Sequence, residues 1–94
     1  MNLEIYTIQD STADYFLPPF FAQNDNTAKR MFIGSLGDSF PHRADFKLFK
    51  IGSFNQDTGS VAPTVPSLVL AGLSIDMKFD PRVPQSDPVE GPTQ

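Results

Sequence analysis

The chain has 94 residues, no cysteine, and a 39% hydrophobic share that includes nine phenylalanines. This length predicts one small domain, which buries roughly 60 to 65% of the surface of its unfolded chain, and the lack of cysteine excludes disulfides and thiolate metal sites. The formal net charge of −4 argues against strong nonspecific nucleic-acid binding, which depends on basic side chains. No apolar run approaches the roughly 20 residues of a membrane helix, and Glu4 and Asp10 stand where a signal peptide would have basic and then apolar residues, so we expect a protein that is neither membrane-bound nor secreted.

The N-terminal residues predict a strand, because β-branched and aromatic side chains alternate from Asn2 to Gln9. An aromatic run follows from residue 13 to residue 22, and its adjacent prolines exclude a regular helix or a central strand there. We expect a packed connection whose rings either close one end of the sheet or form a self-association surface. The rings concerned are Tyr15, Phe16, Phe20 and Phe21.

One helix is predicted from about Asn26 to Leu36, where apolar residues recur at helical spacing behind a cluster of good N-cap residues. Gly37 can supply the left-handed residue that ends it. Pro41 prevents its continuation.

The second strand is predicted from about Asp45 to Asn55, and it contains a conflict of alternation. Lys50 falls on the face of the strand that its apolar neighbours Phe46 and Leu48 occupy. Together with the glycine that follows, this conflict indicates a bulge near Ile51 and Gly52 that redirects Phe54.

A tight turn is predicted at residues 56–59, which would join two antiparallel strands. The return strand from Ser60 should be short because Pro63 and Pro66 lack the amide donors of a ladder. Residues 67–76 then form a last apolar strand. From residue 78 to residue 94 the composition shifts to four prolines and three acidic groups, which predicts a flexible tail.

These elements predict a small α+β domain at residues 1–77, followed by the disordered proline-rich tail at 78–94. The domain should contain a three- or four-stranded, mainly antiparallel sheet with one helix packed on a face. No catalytic, metal or cofactor site is predicted. His42 is the single histidine, whereas metal sites need three or four ligands, and the glycines form no phosphate-binding pattern. We therefore expect a non-enzymatic protein.

The basic residues give one candidate binding site, because most of them fall within a short window that also contains aromatic residues. Lysines beside phenylalanines on a strand resemble the combination of charge and stacking with which sheets hold single-stranded nucleic acid. The alternative is that the rings belong to the core and the lysines protect an edge strand. The candidate nucleic-acid-binding residues are Lys29, Arg30, Arg43, Lys47 and Lys50.

Over about residues 1–75 the sequence resembles the small nonstructural protein of gokushoviruses, single-stranded DNA phages of the Microviridae. The resemblance lies in the joint order of four segments: Ile5 to Asp10, Pro18 to Phe21, Asn24 to Phe32, and Phe46 to Gly59. It implies a DNA-binding accessory that helps to shift replication from duplex to single-stranded genomes in the host bacterial cytoplasm. The alternative is an interaction module that engages phage or host replication proteins without DNA contact. In either case we expect a homo-oligomer.

Overall fold

A computed structural model of the chain describes residues 1–83. Its strands are β1 (Asn2–Asp10), β2 (Tyr15–Phe16), β3 (Phe20–Ala22), β4 (Phe46–Asn55) and β5 (Val61–Ala71), and its α-helix is α1 (Asp25–Leu36). Turns of 3-10 helix lie at Gly37–Asp45, Gly72–Ser74 and Met77–Phe79. All strand pairs are antiparallel, with β1 and β4 at the centre, β2 and β3 along one edge and β5 at the other. The predicted α+β class with one helix on an antiparallel sheet is confirmed, and the sheet has five strands where three or four were expected, because the aromatic run contributes β2 and β3.

Helix α1 forms where the cap residues and the apolar spacing predict it. The side chain of Asn24 accepts a hydrogen bond of 2.9 Å from the backbone N–H of Thr27, which satisfies one free donor of the first turn. Gly37 has a φ of 49°, a conformation that glycine adopts without steric cost, and the α-helix ends there.

The aromatic run contains regular structure on both sides of its prolines. Strands β2 and β3 both pair with β1. In the segment that joins β2 to β3, the backbone N–H of Leu17 donates a hydrogen bond of 2.8 Å to the carbonyl of Ile8. The expected packed connection is therefore an interrupted edge strand. Prolines are tolerated in this position because an edge strand needs ladder bonds on one side only.

The predicted bulge in β4 is confirmed at Ile51. Along β1, Tyr6 is the partner of Lys50 and Ile5 is the partner of Gly52, so Ile51 has no partner in this ladder. The ladder with β5 shifts at the same place. The added residue reverses the alternation of β4 beyond it.

The prediction of two separate strands after the tight turn is wrong, because residues 61–71 form the single strand β5. Pro63 pairs with Gly52 and Ser67 pairs with Lys50, so three residues of β5 lie opposite one residue of β4. This irregularity contains Pro66, and it lies in an edge strand where a missing donor is tolerated. The apolar strand expected to reach residue 76 ends at Ala71.

A segment of the predicted tail is described by the structure. Residues 77–79 form a 3-10 turn, and the Asp80 side chain behind it is only 5% exposed and pairs with Arg82 at 2.7 Å. The remainder of the predicted tail, residues 84–94, lies outside the described residues.

The core lies between the sheet and α1, on the side that we call the helix face. Tyr6, Phe32, Phe40 and Leu48 are the largest fully buried side chains there. On the opposite side of the sheet, which we call the open face, large apolar side chains are half exposed in the described part of the chain. One face of this sheet is thus available for a ligand or a partner.

Candidate nucleic-acid interface

The open face consists of the odd-numbered residues of β1 from Leu3 to Gln9 and of the residues paired with them. Phe16 and Phe21 come from the edge strands β2 and β3, while Lys47, Phe49 and Phe54 come from β4. On β5 the partners of Phe49 and Phe54 are Leu68 and Val61, each 56% exposed.

Two pairs of phenylalanine rings lie across β1 on this face. The ring centroids of Phe16 and Phe49 are 6.0 Å apart, and those of Phe21 and Phe54 are 5.6 Å apart. Both pairs have edge-to-face geometry, with interplanar angles of 65° and 69°. The outer ring of each pair is half exposed, at 48% for Phe16 and 47% for Phe21. The face therefore presents aromatic surface to solvent at two places.

The spacing of the two pairs follows from the strand register. Phe16 lies opposite Gln9 and Phe21 lies opposite Ile5, so the outer rings are separated by four residues of β1. At roughly 3.3 Å per residue this separation is about 13 Å.

The charge of the open face differs in sign from that of the whole chain. Lys47 is paired with Gln9, which has Phe16 as its other partner, so Lys47 lies in the same row across the sheet as Phe16 of the first ring pair. No ion pair within residues 1–83 involves Lys47. No aspartate or glutamate occupies a strand position of this face in the described part of the chain. Among the strand positions of this face in residues 1–83, Lys47 thus carries the one charge, whereas the net charge of the chain is −4.

Lys50 lies on the other side of the sheet and is held there by carboxylates. Its Nζ is 3.2 Å from Asp25 and 3.6 Å from Glu4, and it sits 5.9 Å from the centre of the Tyr6 ring. The contact with Asp25 raises the pKa of Lys50 above its ordinary value. The two carboxylates offset the positive charge of Lys50, so its attraction for a phosphate is weak.

The surroundings of Lys50 form a shallow polar depression of about 480 Å³ at the start of α1, bounded on the sheet side by Glu4. The buried hydroxyl of Tyr6 donates a hydrogen bond of 2.6 Å to Asp25. This bond and the nearby Lys50 ammonium lower the pKa of Asp25. Burial and the same carboxylate raise the pKa of Tyr6. These contacts join β1, α1 and β4.

The other predicted basic residues lie away from the open face. Lys29 and Arg30 are on α1. Arg43 lies in the 3-10 segment, where its Nε donates to the carbonyl of Ile75 at 2.9 Å and its guanidinium covers the Phe40 ring at 4.9 Å. The structure therefore separates the five predicted basic residues, and of these five only Lys47 lies on the open face, near the pair of Phe16 and Phe49.

The predicted self-association residues also divide between the two faces. Phe16 and Phe21 are on the open face, whereas Phe20 packs into the core with its ring centroid 5.8 Å from that of Tyr6. Tyr15 pairs with Asp10 at the end of β1 and is 51% exposed.

Phe54 and Leu68 lie on the open face but were not among the residues predicted for the binding surface. The signal for Phe54 was present in the bulge at Ile51, whereas Leu68 depends on the irregular register of β5. Among residues 1–83, no group of three or more histidine, aspartate or glutamate side chains could hold a metal ion. No helix in that range is long and apolar enough to cross a membrane.

Within residues 1–83, the fold and the site define a small α+β protein with a single antiparallel sheet, one α-helix, and an aromatic face that no described element covers. The model of a family described as Phage ORF5 protein matches residues 3–75. The chain belongs to this phage protein family, and the matched residues contain the helix and the five strands described above, except for Asn2 at the start of β1. No curated protein and no solved structure matches the chain.

Proposed function

We propose that this phage protein is a non-enzymatic accessory of genome replication in a single-stranded DNA phage. It binds single-stranded DNA through the open face and acts in the cytoplasm of the host bacterium. The resemblance to the gokushovirus nonstructural protein supports the phage type and the role in the switch from duplex to single-stranded genomes. The observation that carries the proposal is the open face itself, where half-exposed aromatic rings and Lys47 occur and where no strand position within residues 1–83 holds an acidic side chain.

The chemistry of this face favours unpaired bases over a duplex. Phenylalanine rings can stack on the faces of bases, which are accessible in a single strand and covered by their neighbours in a duplex. Lys47 can neutralise one phosphate of the strand. With one cation on the face, affinity depends mainly on stacking.

The test is a titration of fluorescently labelled single-stranded and double-stranded DNA at several salt concentrations. We expect preference for the single strand and a slope of log affinity against log salt of about −0.7, the value for one phosphate contact. Lys47→Ala should flatten the slope. Lys50→Ala is the matched control, because Lys50 occupies the helix face with its carboxylate partners and should leave the slope unchanged. Equal affinity for duplex and single strand, or no binding at about 50 mM salt, would reject the proposal.

A second candidate is an interaction module that engages phage or host replication proteins, or a second copy of the chain. The observation that favours it is the apolar character of the open face, where Val61 and Leu68 add to the surface of both ring pairs and Lys47 lies near the first pair alone. Two faces of about 600 Å² each, the area of nine residues by four strands, would bury about 1,200 Å², the lower end of stable interfaces.

Light scattering at micromolar concentration separates these candidates. A mass near the chain value of 10.4 kDa, together with DNA binding, supports the open face as a DNA site. A dimer that dissociates on Phe21→Asp, with no DNA binding by the wild type, supports self-association instead.

A further inference from the structure

We infer that the open face contains two separate base-stacking stations, one at Phe16 and Phe49 and the other at Phe21 and Phe54. This inference rests on the proposed function, and it names the part of the ligand that each group of residues recognises. The ligand is a flexible strand with unpaired bases, and recognition is independent of base sequence.

The two ring pairs have the same geometry. In each pair an outer, half-exposed ring from the edge contacts an inner ring of β4 across β1, at similar centroid distances and similar angles. The inner rings occupy the same face only because of the bulge at Ile51. A base can therefore meet the same kind of aromatic surface at both places.

The spacing of the two stations fits an extended strand. The outer rings are about 13 Å apart along β1, a distance that about two nucleotide steps of an extended strand can span. One strand that runs along β1 can thus place bases on both stations. A dinucleotide can reach only one of them.

The two stations differ in charge. The first station adjoins Lys47 and Gln9, so it can hold a base together with an adjacent phosphate. The second station adjoins Ile5, Pro63 and Val61, which offer no charge, so it can hold a base alone. Of the residues named here, those with hydrogen-bonding side chains are Gln9 and Lys47, and both lie at the first station. They are too few to distinguish the four bases by their hydrogen-bonding groups. The expected ligand is any unpaired strand, with its salt dependence arising at the first station.

The variants Phe16→Leu and Phe21→Leu test the stations one at a time. Each removes a half-exposed ring, so folding should be retained, and circular dichroism and thermal melting check this. The matched control is Phe79→Leu, because Phe79 is 49% exposed and lies in the 3-10 turn outside the sheet. The probe is a thymidine strand of about 12 nucleotides, compared with an abasic strand of the same length.

We expect each station variant to weaken binding of the thymidine strand roughly 5- to 100-fold, the usual loss for one stacked base. The effects of the two variants should multiply because the stations are about 13 Å apart and share no ring. The abasic strand should bind weakly and be insensitive to both variants. Phe79→Leu should bind like the wild type.

Two outcomes overturn the inference and are distinguishable from each other. If the thymidine strand binds but neither variant weakens it, or if the abasic strand binds equally well, the stations are wrong although DNA binding stands. If no strand binds to the wild type at low salt, the proposed function fails and the stations fail with it. Loss of a dimer mass in Phe16→Leu, without any DNA binding by the wild type, would assign the rings to a contact between copies of the chain.

Discussion

Phe49 and Phe54 lie on the same face of β4 although their odd spacing in sequence should place them on opposite faces. Ile51 is the extra residue that reverses the alternation between them. Because of it, Phe54 contacts Phe21 on the open face instead of pointing toward α1. One inserted residue thus creates the second aromatic pair.

Beside the bulge, β5 approaches Gly52 so closely that a side chain at this position would clash with it. A Cβ at Gly52 would lie 2.7 Å from the carbonyl oxygen of Ala62 and 3.3 Å from the Cα of Pro63. We expect Gly52→Ala to reduce the free energy of unfolding by about 1 to 3 kcal/mol, the usual cost of overpacking.

The control for this variant is Gly34→Ala, because a Cβ at Gly34 would meet no atom within 4 Å. Alanine in a helix interior is more favourable than glycine by roughly 0.5 to 1 kcal/mol, so this variant should stabilise the protein. Urea unfolding measures both. Equal effects at the two glycines would contradict the described contact between β4 and β5.

Adjacent phenylalanines of β3 should respond differently to truncation. Phe20 packs in the core against Tyr6, whereas Phe21 is on the open face and 47% exposed. We expect Phe20→Ala to cost roughly 2 to 4 kcal/mol of unfolding free energy. Phe21→Ala should cost about 1 kcal/mol. Chemical denaturation of both variants checks the register of β3 on β1, and similar losses would show that the register is wrong.

The hydrogen bond between Tyr6 and Asp25 predicts how stability depends on pH. The pKa of Asp25 is lowered from 3.8, so its contribution is present above that value and is lost as the pH falls through the lower pKa of the folded state. The pKa values of Tyr6 and Lys50 are raised, from 10.0 and 10.5. Their contributions are therefore present below about pH 10 and are lost as the pH rises further.

Tyr6→Phe tests this network. The variant removes the hydroxyl donor, and we expect a loss of about 1 to 2 kcal/mol near neutral pH, as for a hydrogen bond to a charged group. Above about pH 10 the difference from the wild type should shrink, because the wild type then loses the benefit of a neutral Tyr6. Thermal melting between pH 3 and 11 measures both. A difference that does not change with pH would contradict the assignment.

The C-terminal segment up to Val83 offers a test of where the folded body ends. The sequence alone predicts little change in the melting midpoint on truncation after Met77, because residues 78–94 have few apolar side chains. The structure places within that range the buried carboxylate of Asp80, paired with Arg82. The pKa of Asp80 is lowered by this pair, so its contribution is present above pH 3.8 and is lost in acid.

We expect truncation after Met77 to lower the melting midpoint more than truncation after Val83 does. The difference in melting midpoint between the two truncated chains should narrow as the pH falls below 3.8, because the contribution of Asp80 is lost as the pH falls toward its lowered pKa. Identical melting midpoints of the two truncated chains at neutral pH would show that the folded domain ends at residue 77.

Much of the fold could be predicted from the sequence because its signals are local. Alternating side chains predicted β1, and cap residues with apolar residues at helical spacing predicted α1. The bulge was predicted from Lys50, which breaks the alternation of β4, and from Gly52. The continuity of β5 through Pro63 and Pro66 could not be predicted, since it depends on the strand lying at an edge of the sheet.

The candidate site was predictable only in part. Proximity in sequence grouped Lys47 with Lys50, but strand alternation puts them on opposite faces, and Asp25 reaches Lys50 only through the packing of α1. The aromatic pairs require the register of β2 and β3 on β1, which no local pattern specifies. Charge on a strand is therefore informative only after the face is known.

The most direct test of the central claim is NMR mapping of the side-chain signals of the protein as a thymidine strand is added. The account predicts that the largest shifts occur at Phe16, Phe21 and Lys47 on the open face, with Phe32 in the core and Arg30 on α1 unchanged. Shifts concentrated at α1, or an open face that does not respond while DNA binds elsewhere, would contradict it.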